Sequence, residues 1–153
     1  MEIIVRNETQ KDYRRVEEIT REAFAYPDRI ERGGIGCPYE HWMVHELRKR
    51  DGIFELSLVA TVNDEIVGHV ICSKAEVRQD GNSLPVLNLG PISVRLEYQR
   101  LGVGKALINE LIIKAKDLGY GAILFYRLHA SAEFRTCKNG IYRWFVELQP
   151  HDA

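Results

Sequence analysis

From Leu107 onward, apolar residues return every three or four positions. Leu107, Ile108, Leu111, Ile112, Ala115 and Leu118 share one face, while Lys105, Asn109, Glu110, Lys116 and Asp117 stay polar. That period predicts one amphipathic helix, closed by Gly119 as a left-handed stop. A shorter helix is expected from about Lys11 to Phe24, where Tyr13, Val16, Ile19, Thr20 and Ala23 fall together, and another from about Tyr39 to Arg50. Between these two, Pro27, Gly33, Gly34, Gly36 and Pro38 mark a loop. The pattern turns strand-like in EIIVRN near the N-terminus and again from Glu55 to Val94, with turn signals at Asn63-Asp64 and Asp80-Gly81-Asn82. This second stretch reads as an antiparallel meander. Its last run, Val86 to Val94, is apolar enough for a buried strand and is interrupted by Gly90-Pro91. Gly121 to Tyr126 forms one more strand, parallel to it because a helix joins the two. The expected fold is α/β: a mixed sheet in one domain over residues 1–153, without repeats, low-complexity segments or a linker.

Composition narrows the function. With 153 residues, 45% hydrophobic and 28% charged, the chain has the make-up of an ordinary globular domain. A formal charge of −1 gives no general attraction to nucleic acid or anionic lipid, so neither a nucleic-acid nor a membrane partner is expected, and any anion site must be local. The N-terminal stretch lacks an apolar signal core, and no run approaches the length of a membrane helix, which favours a cytoplasmic location. Cys37, Cys72 and Cys137 are odd in number and lack a CxxC pair, so free thiols are expected rather than disulfides or zinc. His41 and His45 have the one-turn spacing of a metal pair, but HExxH is absent and no third ligand follows, so no metal site is expected.

The glycines ahead of the long helix carry the strongest chemical signal. In Gln99-Arg100-Leu101-Gly102-Val103-Gly104 they permit a sharp turn and leave no side chain in front of the amides that open the helix. Strand, polar connection, glycines and helix in that order aim a dipole and free N–H groups at a phosphate-like group. A nucleotide P-loop does not fit, because Ala106 follows Gly104-Lys105 and Gln99 stands where the first glycine belongs. A dinucleotide fingerprint does not fit either, since Leu107 takes the place of the third glycine. The pattern Q/R-x-x-G-x-G/A is matched in full.

With that motif, and with LGPISVRLEYQRLGVGKALINELIIKAKDLGY around it, the sequence resembles the GCN5-related N-acetyltransferases, in particular the small bacterial predicted-acetyltransferase branch. The resemblance runs over about residues 3 to 126. It implies a mostly antiparallel central sheet with helices on both faces, and a splayed parallel strand pair that forms an acetyl-coenzyme A cleft. It implies that the pyrophosphate of the coenzyme lies on the amides of Leu101, Gly102, Val103, Gly104, Lys105 and Ala106, with Gln99 in the motif and Arg100 and Lys105 adding positive charge. It further implies that the pantetheine arm runs along backbone groups of Ile92, Ser93 and Val94. Gly90-Pro91 fits the kink at which such a strand leaves its neighbour. An amide near Ile92 would polarise the thioester carbonyl, an effect typically worth about 3 kcal/mol.

The resemblance weakens after Tyr126. Attack on a thioester needs a neutral amine, and the departing thiolate needs a proton. The family usually presents a tyrosine on a short helix after the last matched strand, whereas this chain reads YRLHASAEFRTCKNGIYRWFVELQPHDA. Tyr126 and Tyr142 are the candidate catalytic acids; His129 and Glu133 lie in the same region. Ile141 to Leu148 reads as a final strand that either completes the core or pairs with a second subunit, and a homodimer through it is a candidate assembly. In the family, the region between the first two helices shapes the acceptor site, which makes Phe24, Tyr26, Tyr39, His41, Trp42 and His45 candidate lining residues. His69 reads either as a base acting through water or as packing within its strand. Two functions stay open: an acetyl-coenzyme A dependent N-acetyltransferase acting on a primary amine of a small molecule or protein, and a catalytically weak coenzyme A-binding module whose altered C-terminal region has cost it catalysis.

Overall fold

Two hairpin turns set the sheet. Asn63 and Asp64 take positive φ angles of 49° and 64°, and Asp80 and Gly81 take 50° and 80°, the left-handed pairs that close two-residue hairpins between twisted strands. In the computed structural model, which describes residues 1–25 and 40–125, these turns join β2 (Gly52–Val62), β3 (Glu65–Gln79) and β4 (Asn82–Val94). β1 (Ile4–Asn7) pairs antiparallel with β2, and β5 (Ile123–Leu124) pairs parallel with β4, giving a five-stranded sheet in the order β1-β2-β3-β4-β5. The helices are α1 (Tyr13–Ala23), α2 (Glu40–Lys49) and α3 (Val103–Asp117).

The alternation of side chains along the strands divides the core into two layers. On one face, Val103, Leu107, Leu111 and Ala115 of α3 pack on Leu56, Leu58 and Ala60 of β2, Val70 and Cys72 of β3, Leu87 of β4 and Ile123 of β5. On the other face, Val16 of α1 and Val44 of α2 pack on Val59 and Ile71, with Leu47 and Ile66 at the margin. Helices therefore cover both faces; of the α3 face read from its period, Leu107, Leu111 and Ala115 are core, Ile108 and Ile112 lie at its margin and Leu118 is exposed, while Val103 extends the buried stripe toward the helix start.

β4 holds the feature that shapes the site. Its register with β3 runs Val70↔Ile92 and then Cys72↔Leu89, so β4 carries one extra residue across Gly90-Pro91. This is a β-bulge, placed where proline has no N–H to give the ladder. Glycine is required beside it, because a Cβ on Gly90 would stand 2.9 Å from Leu47 Cδ1 and 3.0 Å from the Ile71 carbonyl oxygen. Before the bulge, β4 pairs with β5 at Leu87↔Ile123 and Asn88↔Leu124. The parallel pair thus meets on the N-terminal side of Gly90-Pro91, and β4 bends where the cleft is expected.

β4 begins earlier than its apolar run suggests. Asn82 to Pro85 are exposed yet extended, held by pairing with Glu76 to Gln79 of β3 across the Asp80-Gly81 turn. That pairing is a tertiary effect with no hydrophobic signal of its own. No helix among the described residues is long and apolar enough to cross a membrane.

Candidate active site

Beyond the bulge, β4 ends in a 3₁₀ turn (Leu96–Tyr98), and the chain doubles back through Gln99 to Gly102 into α3. Gly102 is the N-cap of α3 at φ 93°, and Arg100 two residues earlier sits at φ 63°. Gly102 adopts this conformation without the strain that a Cβ brings. The helix begins at Val103, so Gly104 lies within its first turn rather than ahead of it. The first amide taken up by the helix is that of Ala106, which donates to the Gly102 carbonyl at 3.0 Å. Among the described residues, the amides of Leu101 to Lys105 make no close backbone hydrogen bond, although Gln99 to Gly102 fold as a hydrogen-bonded turn. They stand at the positive end of the α3 dipole. Arg100 and Lys105 are exposed and make no ion pair among the described residues.

In front of this turn lies a cavity of about 280 Å³ lined by Ala23, Phe24, Ile92, Val94, Gln99, Arg100 and Gly104. One wall is the edge of β4 beyond Asn88, which pairs with no further strand among the described residues. Arg95 donates its N–H to the Val67 carbonyl at 2.9 Å, and Ser93 stands opposite His69. By the two-residue alternation of an antiparallel ladder, the backbone groups of Ser93 face β3, and those of Ile92 and Val94 turn to the opposite edge. The Gln99 amide Nε2 donates to the Val94 carbonyl at 3.1 Å, tying the turn to the strand across the cavity.

The structure brings together five of the residues named from the sequence: Ile92, Val94, Gln99, Arg100 and Gly104. Val103 is buried in the core with only its amide at the turn, and the Ser93 side chain is buried against Thr20, Oγ to Oγ1 at 3.1 Å. Phe24, proposed for the acceptor side, lines this same cavity, beside Ala23, which the sequence reading did not single out. Ala23 is the last buried position of α1, and the apolar stripe of that helix is the signal that marks it. Tyr126, Tyr142, His129, Glu133, Tyr26, Tyr39 and the strand read at Ile141 to Leu148 lie outside the described residues.

His69 is packing. It is 0% exposed on the α1 and α2 face, with Nε2 at 3.2 Å from Ser57 Oγ and 3.6 Å from Glu8 Oε1. Burial pushes its pKa down, and the neighbouring Glu8 offsets part of that. Burial alone would raise the Glu8 carboxyl, but the neighbouring His69 and the hydrogen bonds from Arg48 and Ser57 outweigh it and hold the group at about 2. His45 of α2 lies 3.4 Å from Glu17, half exposed. Burial drives the Cys72 thiol up to about 12, so it is an unreactive core residue.

Known proteins place the chain. Residues 13–135 match the acetyltransferase (GNAT) family. The uncharacterized N-acetyltransferase YhbS of Escherichia coli K12 is 30% identical over 98 residues, covering 63% of this chain and 57% of that protein. This chain's match therefore spans somewhat over half the length of that relative. Among solved structures, a GNAT family acetyltransferase from Brucella melitensis in complex with acetyl-CoA superposes with a TM-score of 0.63 at 26% identity, over 80% of this chain and 73% of that one. Escherichia coli YhbS in complex with CoA gives 0.64 at 24% identity, over 79% and 60%. The chain belongs to the GNAT acetyltransferase family.

Proposed function

We propose that the protein transfers an acetyl group from acetyl-coenzyme A to a primary amine of a small molecule or protein, by direct attack of the amine on the thioester. The observation that carries this reading is the start of α3, where the amides of Leu101 to Lys105 make no close backbone hydrogen bond and Gly104 lines a cavity that Ile92 and Val94 of β4 bound on the other side, beyond the last residue of β4 that pairs with β5 among the described residues. The residues present fit the substrate. Backbone N–H groups at a helix start suit a diphosphate, and Arg100 and Lys105 add charge at its rim. Because the Ala106 amide is committed to Gly102, the reading rests the diphosphate on Leu101 to Lys105. Backbone groups of Ile92 and Val94 suit an extended amide-containing arm, which would lie alongside β4 as an added strand. The Ile92 amide, just past the bulge, is the donor that would polarise the carbonyl. The relative solved with acetyl-CoA and the one solved with CoA support the choice of coenzyme.

In this mechanism the neutral amine nitrogen forms the new bond to the acetyl carbon, the carbon–sulfur bond breaks, the nitrogen gives up a proton to water, and the thiolate takes one. Tyr126 and Tyr142 are the residues we assign to that proton. The test is thiol release over a panel of amines, with Tyr126→Phe and Tyr142→Phe measured beside the wild type. Turnover that one substitution lowers by 10²-fold or more, at unchanged coenzyme affinity, supports the assignment. Brisk turnover in both variants removes it. Tight coenzyme binding without turnover on any amine favours the binding module instead.

A further inference from the structure

A buried polar cluster on the α1 and α2 face takes no part in the chemistry above. Glu8, just after β1, is 2% exposed and accepts hydrogen bonds from Arg48 Nη2 at 2.5 Å, Arg48 Nε at 3.2 Å and Ser57 Oγ at 2.6 Å. The hydroxyl proton of Ser57 is committed to Glu8, so the 3.2 Å contact between Ser57 Oγ and His69 Nε2 requires the ring to donate from Nε2. Nδ1 is then the acceptor nitrogen of a neutral ring, and it is buried without a partner. Arg48 also reaches Glu17 of α1 at 2.7 Å and lies 4.1 Å over the Tyr13 ring. One side chain of α2 thereby fastens that helix to α1, to the end of β1 and, through Glu8 and Ser57, to β2 and β3. α2 in turn bears on the bulge, where Leu47 fills the space that a Gly90 side chain would need.

We propose that this cluster is a pH-sensitive latch, which fastens α2 against the sheet while His69 is neutral and releases it when His69 takes a proton on Nδ1. The geometry gives the reason. A proton added at Nδ1 meets no acceptor, and a buried imidazolium with an unpaired N–H has a large desolvation cost unless the cluster opens. The charged groups facing the ring and its partners are Glu8 and Asp12 from the β1 end, Tyr13 and Glu17 from α1, and His45 and Arg48 from α2. Glu8 and Asp12 are both held at about 2, Asp12 chiefly by its hydrogen bond from Arg6, so they stay ionised through the weakly acidic range. His45 Nδ1 faces Glu17 Oε1 at 3.4 Å, between α2 and α1. The sign follows: the ring titrates lower in the latched state than in the open one, so opening is favoured as pH falls below the ordinary histidine value.

Hydrogen exchange of the α2 amides at pH 7.5 and 5.5, corrected for intrinsic exchange rates, tests this. With an open-state value near 6.5, protection should fall by up to about tenfold at pH 5.5. The α3 amides should hold theirs. His69→Gln, which keeps a donor for Ser57 but cannot charge, should abolish the fall, and His45→Gln should retain it. Protection that is flat in the wild type, equal in His69→Gln, or lost from α3 together with α2 overturns the proposal. If His69→Gln does not fold, ¹⁵N shifts of the wild-type His69 ring serve in its place. The ring must titrate together with α2 amide shifts, and titration without them overturns the latch.

Discussion

Gly104→Asp separates binding from folding at the glycine turn. A Cβ at Gly104 meets nothing nearer than Val94 Cγ2 at 3.9 Å, so the side chain costs no packing, and it enters a position that lines the cavity. Stability should hold or rise slightly. Glycine is about 1 kcal/mol poorer than alanine inside a helix, and an acidic residue in the first turn gains about 0.3–1 kcal/mol from the dipole. Binding should suffer. A carboxylate at about 4 Å from a phosphate charge repels it by about 4 kcal/mol at an effective dielectric of 20, and less in an open cavity. One displaced charge-assisted hydrogen bond adds about 1.5–3 kcal/mol. Allowing for solvent, a net loss of about 3 kcal/mol corresponds to at least a hundredfold weaker coenzyme A binding. Titration calorimetry with coenzyme A measures it, and thermal unfolding of the same sample checks the fold. Pantetheine, which lacks the diphosphate, should bind both proteins alike. A folded Gly104→Asp protein with wild-type affinity for coenzyme A would refute the placement of the diphosphate on this turn.

Gly68→Ala should lower stability by about 1–3 kcal/mol, seen as a fall in Tm, because its Cβ would lie 2.9 Å from Val103 Cγ1 and 3.1 Å from the Ser93 carbonyl oxygen, in the seam between α3 and the sheet. Acid should destabilise the protein through Glu8. With a folded value of about 2 against an ordinary 4.5, its contribution is present in full above pH 4.5 and is lost as pH falls toward 2; its size is on the order of 3 kcal/mol. Urea unfolding across that range should show this slope in the wild type and a shallower one in Glu8→Gln; equal slopes would show that Glu8 is not responsible. Arg48→Met should cost about 3–5 kcal/mol by leaving Glu8 buried and unpaired, and Glu8→Gln combined with Arg48→Met should recover part of that loss in the same assay.

The elements with strong local signals were legible in the sequence. The α3 stripe, the Asn63-Asp64 and Asp80-Gly81 turns and the Gly90-Pro91 interruption each act through neighbouring residues, so local chemistry fixes them. The glycine turn was legible for the same reason, although its helix starts one residue before Gly104. What escaped depends on pairing and contacts that no apolar period marks. Asn82 to Pro85 are extended only because β3 pairs with them. The Glu8, Arg48, Ser57 and His69 cluster joins α2, β2 and β3 to the residue after β1, across up to 61 positions, and no spacing marks it. Ser93 was grouped with Ile92 and Val94 from the strand alone; the register with His69 is what turns its backbone the other way.

A crystal structure with coenzyme A bound tests the central claim most directly. The account predicts diphosphate oxygens within about 3.2 Å of at least two amide nitrogens between Leu101 and Lys105, with the pantetheine arm along Ile92 and Val94. A diphosphate held elsewhere, with those amides facing only solvent, would contradict it.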